Sequence, residues 1–384
     1  MLELDERLQR LQAQMREWSG EVHRLALEVD ASPENIEKLI ELPALRYLAT
    51  LLIPADRQPS PLRLGPHVYD GTRCIERVVA IEELASADAA AVLAAPGPSL
   101  SGVIVAQLAD EEQKEWYYQR LLSAPRWTFF ALTEPAQGSN AGQLTTRLHR
   151  DGDAWRLTGA KRYVGGAARA DLGVVVARRS GGPLGVTAVL VETSEPGFAA
   201  VPLPTVGLRA AGLSAITLRE VPVSEDRFLG RHLPATARGM NAVTRTFHQF
   251  RPGVAAMALG VARAAHKYVT DHRRTLRVAE RHRLDELAAR IHTVRRLVRL
   301  AAARVDADPT DGALGSVAKV RAVALAEQAT ALAPRFFGSG ARLDHPLLDK
   351  LARDALGLEF MEGTSHMQKL SYVQSHLKGR LTGV

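Results

Sequence analysis

The sequence predicts a mainly α-helical protein with a central β domain, and three observations carry that reading. Residues 1 to about 125 repeat apolar side chains every three or four positions, the period of an amphipathic helix. From Trp127 to about Leu229 the pattern changes to short β-branched runs separated by Gly, Pro and Asp turns. After Gly239 the helical spacing returns. The expected organisation is a helical domain over 1–125, a β domain over 126–232 and a second helical domain over 233–384.

Leu4, Leu8, Leu11, Met15 and Trp18 mark the first helix, and Ile36, Leu39, Ile40, Leu42 and Leu45 mark a second that starts at Ser32-Pro33. A loop rich in Pro, Gly and Arg is expected from Ile53 to Gly71, then a helix over Ile75 to Ala90. Pro96-Gly97-Pro98-Ser99 interrupts the period before more helix. Leu172 to Ala177 and Val186 to Val191 read as strands, with turns at Gly181-Gly182-Pro183 and Glu195-Pro196-Gly197. Met257, Leu259, Val261 and Ala264 lie in one long C-terminal helix, and Leu284, Leu287, Ile291, Val294, Leu297 and Leu300 in the next. Two further helices are expected over 313–337 and 346–360.

A chain of 384 residues with 46% hydrophobic content can bury a large core. No run of apolar residues is long enough to predict a membrane span, and Met1 to Trp18 mixes charges with leucines, unlike a signal peptide. The expected location is cytoplasmic. Cys74 is the single cysteine, which excludes an intrachain disulfide and a cysteine metal cluster; no metal is expected, and the thiol reads as a small half-buried side chain. Lys and Arg total 49 against 42 Asp and Glu, a net charge of +7. The densest basic run, His272 to Arg277 and Arg281 to Arg283, has few aromatics to stack on bases, so no nucleic-acid partner is expected. Most of these charges read as solvated helix faces.

Glu362 is the most informative side chain. It ends a stretch with apolar residues at Ala355, Leu356, Leu358, Phe360 and Met361, and Gly363-Thr364-Ser365 follow it. An apolar setting raises a carboxyl pKa above the ~4.3 of free Glu, as a general base for a weak carbon acid requires. The same residues also read as a plain helix end and restart, with Ser365 and Gln368 at capping-box spacing. Thr133-Glu134-Pro135-Ala136-Gln137-Gly138-Ser139-Asn140 lies where a strand gives way to a Gly-containing loop. Its backbone N–H groups and hydroxyls suit a diphosphate, or it is a simple Pro-Gly turn. Tyr163 reads equally as a packed cross-strand aromatic.

Taken together, Phe129 to Asn140, the run Trp155 to Gly166 and the Arg353-Asp354-Ala355 to Glu362-Gly363-Thr364 segment resemble the acyl-CoA dehydrogenase family, from about residue 70 onward. The resemblance implies a helical N-terminal domain, a middle β-barrel or sheet domain and a C-terminal four-helix bundle. It implies FAD as cofactor, with Phe130, Leu132, Thr133, Gly138, Ser139, Tyr163, Gly165 and Thr364 on flavin-lining positions. Asn140 stands where Asp is usual, and Gly165 lacks the hydroxyl usual near the reactive flavin nitrogen. Arg251 matches a family arginine close to the base, and Phe250 occupies the position where some relatives carry their catalytic Glu, which leaves Glu362. For the nucleotide half of the flavin, which relatives reach across a subunit interface, the implied contacts are Arg273, Thr275, Arg335 and Gly338. There the family's Phe-Gly pair is missing and His282-Arg283 replaces His-Gln.

The activity implied is α,β-dehydrogenation of an acyl thioester. Glu362 takes the α-proton, the flavin takes the β-hydride, and an electron-transfer flavoprotein is the implied acceptor. The excess of basic residues suits anionic partners, and residues 54–65 depart from the Gly-rich segment usual in fatty-acid members. CoA and an acidic acyl carrier protein are therefore both expected carriers. The alternatives are a flavin- and oxygen-dependent oxidase or N-hydroxylase on the same fold, and a non-catalytic subunit. Cross-subunit flavin contacts imply a homodimer or homotetramer.

Overall fold

The computed structural model describes residues 3–377. Helix α1 (Glu6–Ala31) begins where the Asp5 carboxylate accepts the Leu8 N–H at 2.8 Å. The second expected helix forms as two pieces, a 3₁₀ turn over Pro33–Leu39 and α2 (Pro43–Thr50), because Pro43 restarts the chain at an extended Leu42. The segment expected as a loop contains a hairpin, β1 (Leu62–Leu64) with β2 (His67–Tyr69). Strands of three residues are too short to show an alternating pattern. Helices α3 (Cys74–Ala94), α4 (Ser99–Leu108) and α5 (Glu111–Ser123) follow. Within α3, Asp88 leaves helical geometry (φ −161°, ψ 110°), and its carboxylate accepts the Ala90 N–H at 2.8 Å, recapping the second half.

The middle of the chain forms a seven-stranded mixed sheet: β3 (Thr128–Ala131), β4 (Arg147–Asp151), β5 (Ala154–Val164), β6 (Leu172–Arg178), β7 (Val186–Glu192), β8 (Phe198–Pro202) and β9 (Ser214–Val223). Its order is β3-β6-β4-β5-β9-β8, with β7 also paired to β6. β3 runs parallel to β6 from Thr128↔Leu172 to Ala131↔Val175, whereas β4 meets β6 only at Arg147↔Arg178. β5 pairs antiparallel with β9 and shifts register twice, between Leu157 and Gly159 and between Lys161 and Val164.

The C-terminal part is helical: α6 (Met240–His272), α7 (Val278–Ala307), α8 (Ala313–Leu332), the short α9 (Ala341–Asp344), α10 (Pro346–Leu358) and α11 (Ser365–Leu377). Val78, Leu84 and Ala85 of α3 pack with Val254, Met257 and Val261 of α6 in one core that reaches Ala322 and Leu325 of α8. At Gly260 the two helices come so close that a Cβ would lie 2.8 Å from the Glu82 carbonyl. Several arginines expected on solvated faces instead serve this core's edge. Arg263 pairs with Glu82 at 2.9 Å and Glu83 at 3.0 Å, and Arg295 pairs with Glu82 at 2.7 Å. Cys74 is buried rather than half-buried, and burial pushes its thiol up to about 11. Among the described residues no helix is long and apolar enough to cross a membrane.

Candidate active site

Two strand ends build the first part of the site. β3 runs out through Leu132 to Thr133, and the Arg162 N–H of β5 donates to the Thr133 carbonyl at 2.9 Å. Glu134 and Lys161 lock this junction. One Glu134 oxygen, Oε2, accepts the N–H and hydroxyl of Thr145, both at 2.7 Å. The other, Oε1, accepts the Thr146 N–H at 2.8 Å, the Thr146 hydroxyl at 2.6 Å and Lys161 Nζ at 3.0 Å. Lys161 also donates to the Leu132 carbonyl at 2.9 Å. Burial alone would raise the Glu134 carboxyl, but the hydrogen bonds from Thr146 and Thr145 outweigh it and hold it down at about 2. Burial lowers the Lys161 ammonium to about 8 against the attraction of Glu134. These two charged residues hold the loop. Both stand in the motif, yet nothing local told that they face each other.

Phe130 meets Phe247 of α6 edge-on, with ring centroids 6.0 Å apart, and Leu132 is buried. Thr133 is half-buried, while Gly138 and Ser139 lie on the exposed loop beyond it. Tyr163 does not pack as a cross-strand aromatic. It sits in the second register shift of β5 with φ 60°, the residue 60% exposed and the Arg162 guanidinium 5.4 Å from the ring centre. Around Gly165 there is open space, since a Cβ would meet no atom within 4 Å. The next residue, Gly166, donates its N–H to the Ala211 and Gly212 carbonyls at 3.0 and 3.2 Å.

Residues 207–212 connect this turn to the second part of the site. The Leu208 N–H donates to Asp354 of α10 at 2.6 Å, and a Cβ on Gly207 would lie 2.1 Å from the Arg353 carbonyl. Asp354 is held in turn by Lys350 at 2.6 Å, which also bonds Asp88 at the kink of α3 at 2.8 Å. All three side chains are 1% exposed.

Glu362 sits in the turn between α10 and α11 with φ 51°, a left-handed conformation that costs a non-Gly residue roughly 1–3 kcal/mol. Its surroundings enforce that backbone. The Glu362 carbonyl accepts Arg251 Nε at 3.2 Å and Gln368 Nε2 at 2.8 Å, and the Gly363 carbonyl accepts Lys319 Nζ at 2.9 Å. The Glu362 carboxylate makes no hydrogen bond among the described residues. Its side chain is half-buried by accessibility; desolvation is the largest influence on the carboxyl and raises it to about 7, against the opposing charges of Arg251 and Lys319. A fixed backbone with an unengaged carboxyl balanced near neutrality is the arrangement a general base needs. Arg251 lies well inside α6, is 7% exposed, and is pulled down to about 10 by burial, with Nη1 left unpartnered. The capping box expected at Ser365 and Gln368 does not form. Ser365 donates its N–H and hydroxyl to Glu359 at 2.7 and 2.6 Å, Gln368 serves the Glu362 carbonyl, and the Thr364 hydroxyl faces the Met367 N–H at 3.4 Å.

Arg273, Thr275, Arg335 and Gly338 do come together, in a cleft of about 550 Å³ shared with Leu276, Arg277 and Glu280. Arg273 donates to the Phe336 carbonyl and pairs with Glu280 at 3.5 Å. Arg335 is exposed and unpaired among the described residues, and Gly338 has φ 90° with nothing near a Cβ. This cleft is remote from Glu362. Arg251 and Arg273 lie 22 positions apart on and just past α6, roughly 33 Å at 1.5 Å per residue. The base site and this cleft therefore lie toward opposite ends of α6.

Residues 129–221 match the family model described as acyl-CoA dehydrogenase, middle domain, and residues 237–376 match acyl-CoA dehydrogenase, C-terminal domain. The 3-(aryl)acrylate reductase of Clostridium sporogenes is 27% identical over 373 residues, covering 93% of this chain and 95% of that one. The solved butyryl-CoA dehydrogenase of Megasphaera elsdenii superposes with a TM-score of 0.85 at 23% identity, over 98% of this chain and 100% of the other. The prolyl acyl carrier protein oxidase AnaB superposes at 0.79 with 21% identity, over 94% and 98% of the two chains.

Proposed function

Because this chain belongs to the acyl-CoA dehydrogenase family of FAD-dependent oxidoreductases, we propose that it dehydrogenates an acyl thioester at the α,β-carbons with Glu362 as the α-proton base. The observation that carries the proposal is the Glu362 turn: a strained backbone pinned by Arg251, Gln368 and Lys319, and a carboxyl without hydrogen bonds raised to about 7.

The residues present fit FAD. Thr133 is joined to the Tyr163–Gly165 turn through the Arg162 N–H, Tyr163 is exposed, Gly165 has open space around it, and Gly138 and Ser139 are exposed on the loop that follows Thr133. Arg335 and Gly338 leave an unpaired guanidinium and an uncrowded backbone at the far cleft, suited to a diphosphate or nucleotide. Given the span of α6, that cleft serves the cofactor of a second copy in a homo-oligomer. When bound, FAD supplies the acceptor for the β-hydride that leaves as the trans-2-enoyl thioester forms.

The chain's own residues do the proton chemistry. Glu362 receives the α-proton on its carboxylate, which is poised because burial disfavours the anion while Arg251 and Lys319 keep it accessible near neutral pH. The α-carbon becomes acidic enough only if the thioester carbonyl is polarised. The Glu362 N–H is the family-type donor for that oxygen. The acyl group rides on CoA or on an acidic carrier protein, to which the +7 charge is complementary. An electron-transfer flavoprotein is the proposed oxidant that closes the cycle.

Anaerobic bleaching of the flavin tests this. Wild type is mixed with matched acyl groups on CoA and on carrier protein, beside Glu362→Gln. Bleaching with at least one carrier, slowed about 10²- to 10⁴-fold in Glu362→Gln, is expected. Full-rate bleaching by the variant refutes the base assignment.

A further inference from the structure

We propose that Lys319 of α8 is a positioning residue for this base: its ammonium clamps the turn that carries Glu362 and supplies the counter-charge that keeps the carboxylate available. The inference rests on the reading of Glu362 as the base. Lys319 is fully buried, and Nζ donates to the Glu359 carbonyl at 2.6 Å and to the Gly363 carbonyl at 2.9 Å. Those two carbonyls bracket residue 362 from either side. The clamp therefore acts on the very backbone that holds the left-handed φ.

A neutral donor could satisfy two carbonyls, and an isolated buried ammonium is costly unless opposite charge surrounds it. The surrounding charges show what the cation does. Lys319 faces Glu359 and Glu362 from the α10–α11 connection, Glu327 from its own helix, and Arg251 from α6. Glu359 Oε2 is 3.8 Å from Nζ, but both Glu359 oxygens are already engaged by Ser365. Glu362 has no such partners, and the charge of Lys319, after that of Arg251, opposes the desolvation of its carboxyl. Arg251 and Lys319 lie on different helices and approach the turn through different carbonyls, Glu362 and Gly363. Removing either leaves the other in place.

Lys319→Met removes both clamp and charge, while Lys319→Gln keeps a donor and removes only the charge. Bleaching rate against pH is measured for both, with flavin content as a control. In both variants the pH midpoint is expected to move upward by about one unit. The high-pH plateau is expected to fall about tenfold or more in Lys319→Met and less in Lys319→Gln.

A second readout needs no turnover. The folded Glu362 carboxyl lies above its unfolded value, so its contribution to stability is full below the unfolded pKa and is lost as pH rises through the folded one. The Tm difference between a protein and its Glu362→Gln counterpart should fall with pH and level off near the folded pKa. The levelling point should move upward in both Lys319 variants. Wild-type midpoints, plateaus and levelling points in both variants, with Glu362→Gln inactive, overturn the proposal and leave the base assignment standing. Full-rate bleaching by Glu362→Gln overturns the base assignment, and the proposal with it.

Discussion

Replacing Glu134 by Gln tests whether the motif's charged pair is a scaffold. The two carboxylate oxygens carry unequal loads: Oε1 holds the Thr146 pair and Lys161, and Oε2 holds only the Thr145 pair. A glutamine can keep one acceptor, and the lower loss is to turn its NH₂ toward Thr145. The Thr145 hydroxyl can rotate to accept that amide, but the Thr145 N–H cannot, and is left facing a donor. A hydrogen bond to a charged group contributes about 1.5–3 kcal/mol, so the Thr145 amide should exchange with solvent roughly ten- to a hundredfold faster. Thr146 should change less. Hydrogen exchange resolved to the single amides of Thr145 and Thr146 reads this. Unchanged exchange at Thr145, or a faster Thr146 with Thr145 protected, refutes the reasoning.

Further outcomes are expected. The bleaching rate should rise with pH to a plateau with its midpoint near the Glu362 value of about 7, and Arg251→Met should move that midpoint upward because a charge that stabilises the anion is lost; a pH-independent rate from 5 to 9 contradicts this. Lys350→Met leaves Asp88 and Asp354 buried together without their cation and should destabilise the fold by about 3–5 kcal/mol. The two carboxyls can then share a proton at low pH, so urea denaturation should show a larger loss at pH 8 than at pH 5.

The α, β, α order was readable in the sequence because periodicity is local: Leu4 to Met15, Val186 to Val191 and Leu284 to Ile291 each report the face they bury, although farther along that helix Val298 is buried where Leu297 was expected. The candidates Glu362 and Thr133 came from the resemblance of their segments to the acyl-CoA dehydrogenase family, since the residues alone also fitted a helix end and a Pro-Gly turn. What the tertiary structure alone decided are contacts between positions far apart in the chain. Lys161 finds Glu134 27 residues away, Lys319 reaches Gly363 44 residues on, and Lys350 closes on Asp88 across 262. No window of sequence encodes those pairings, since each depends on which helices and strands pack against one another. The exposure of Tyr163 was hidden for a related reason: a register shift in β5 and a positive φ turn outward a side chain that strand alternation would have buried. At Glu362 the sequence offered a carboxylate beside a glycine. Desolvation, two distant donors, Arg251 and Lys319, and the nearby Gln368 made it a strained turn with an unengaged carboxyl near neutrality, because desolvation and hydrogen bonding are properties of the packed surroundings and not of the residue.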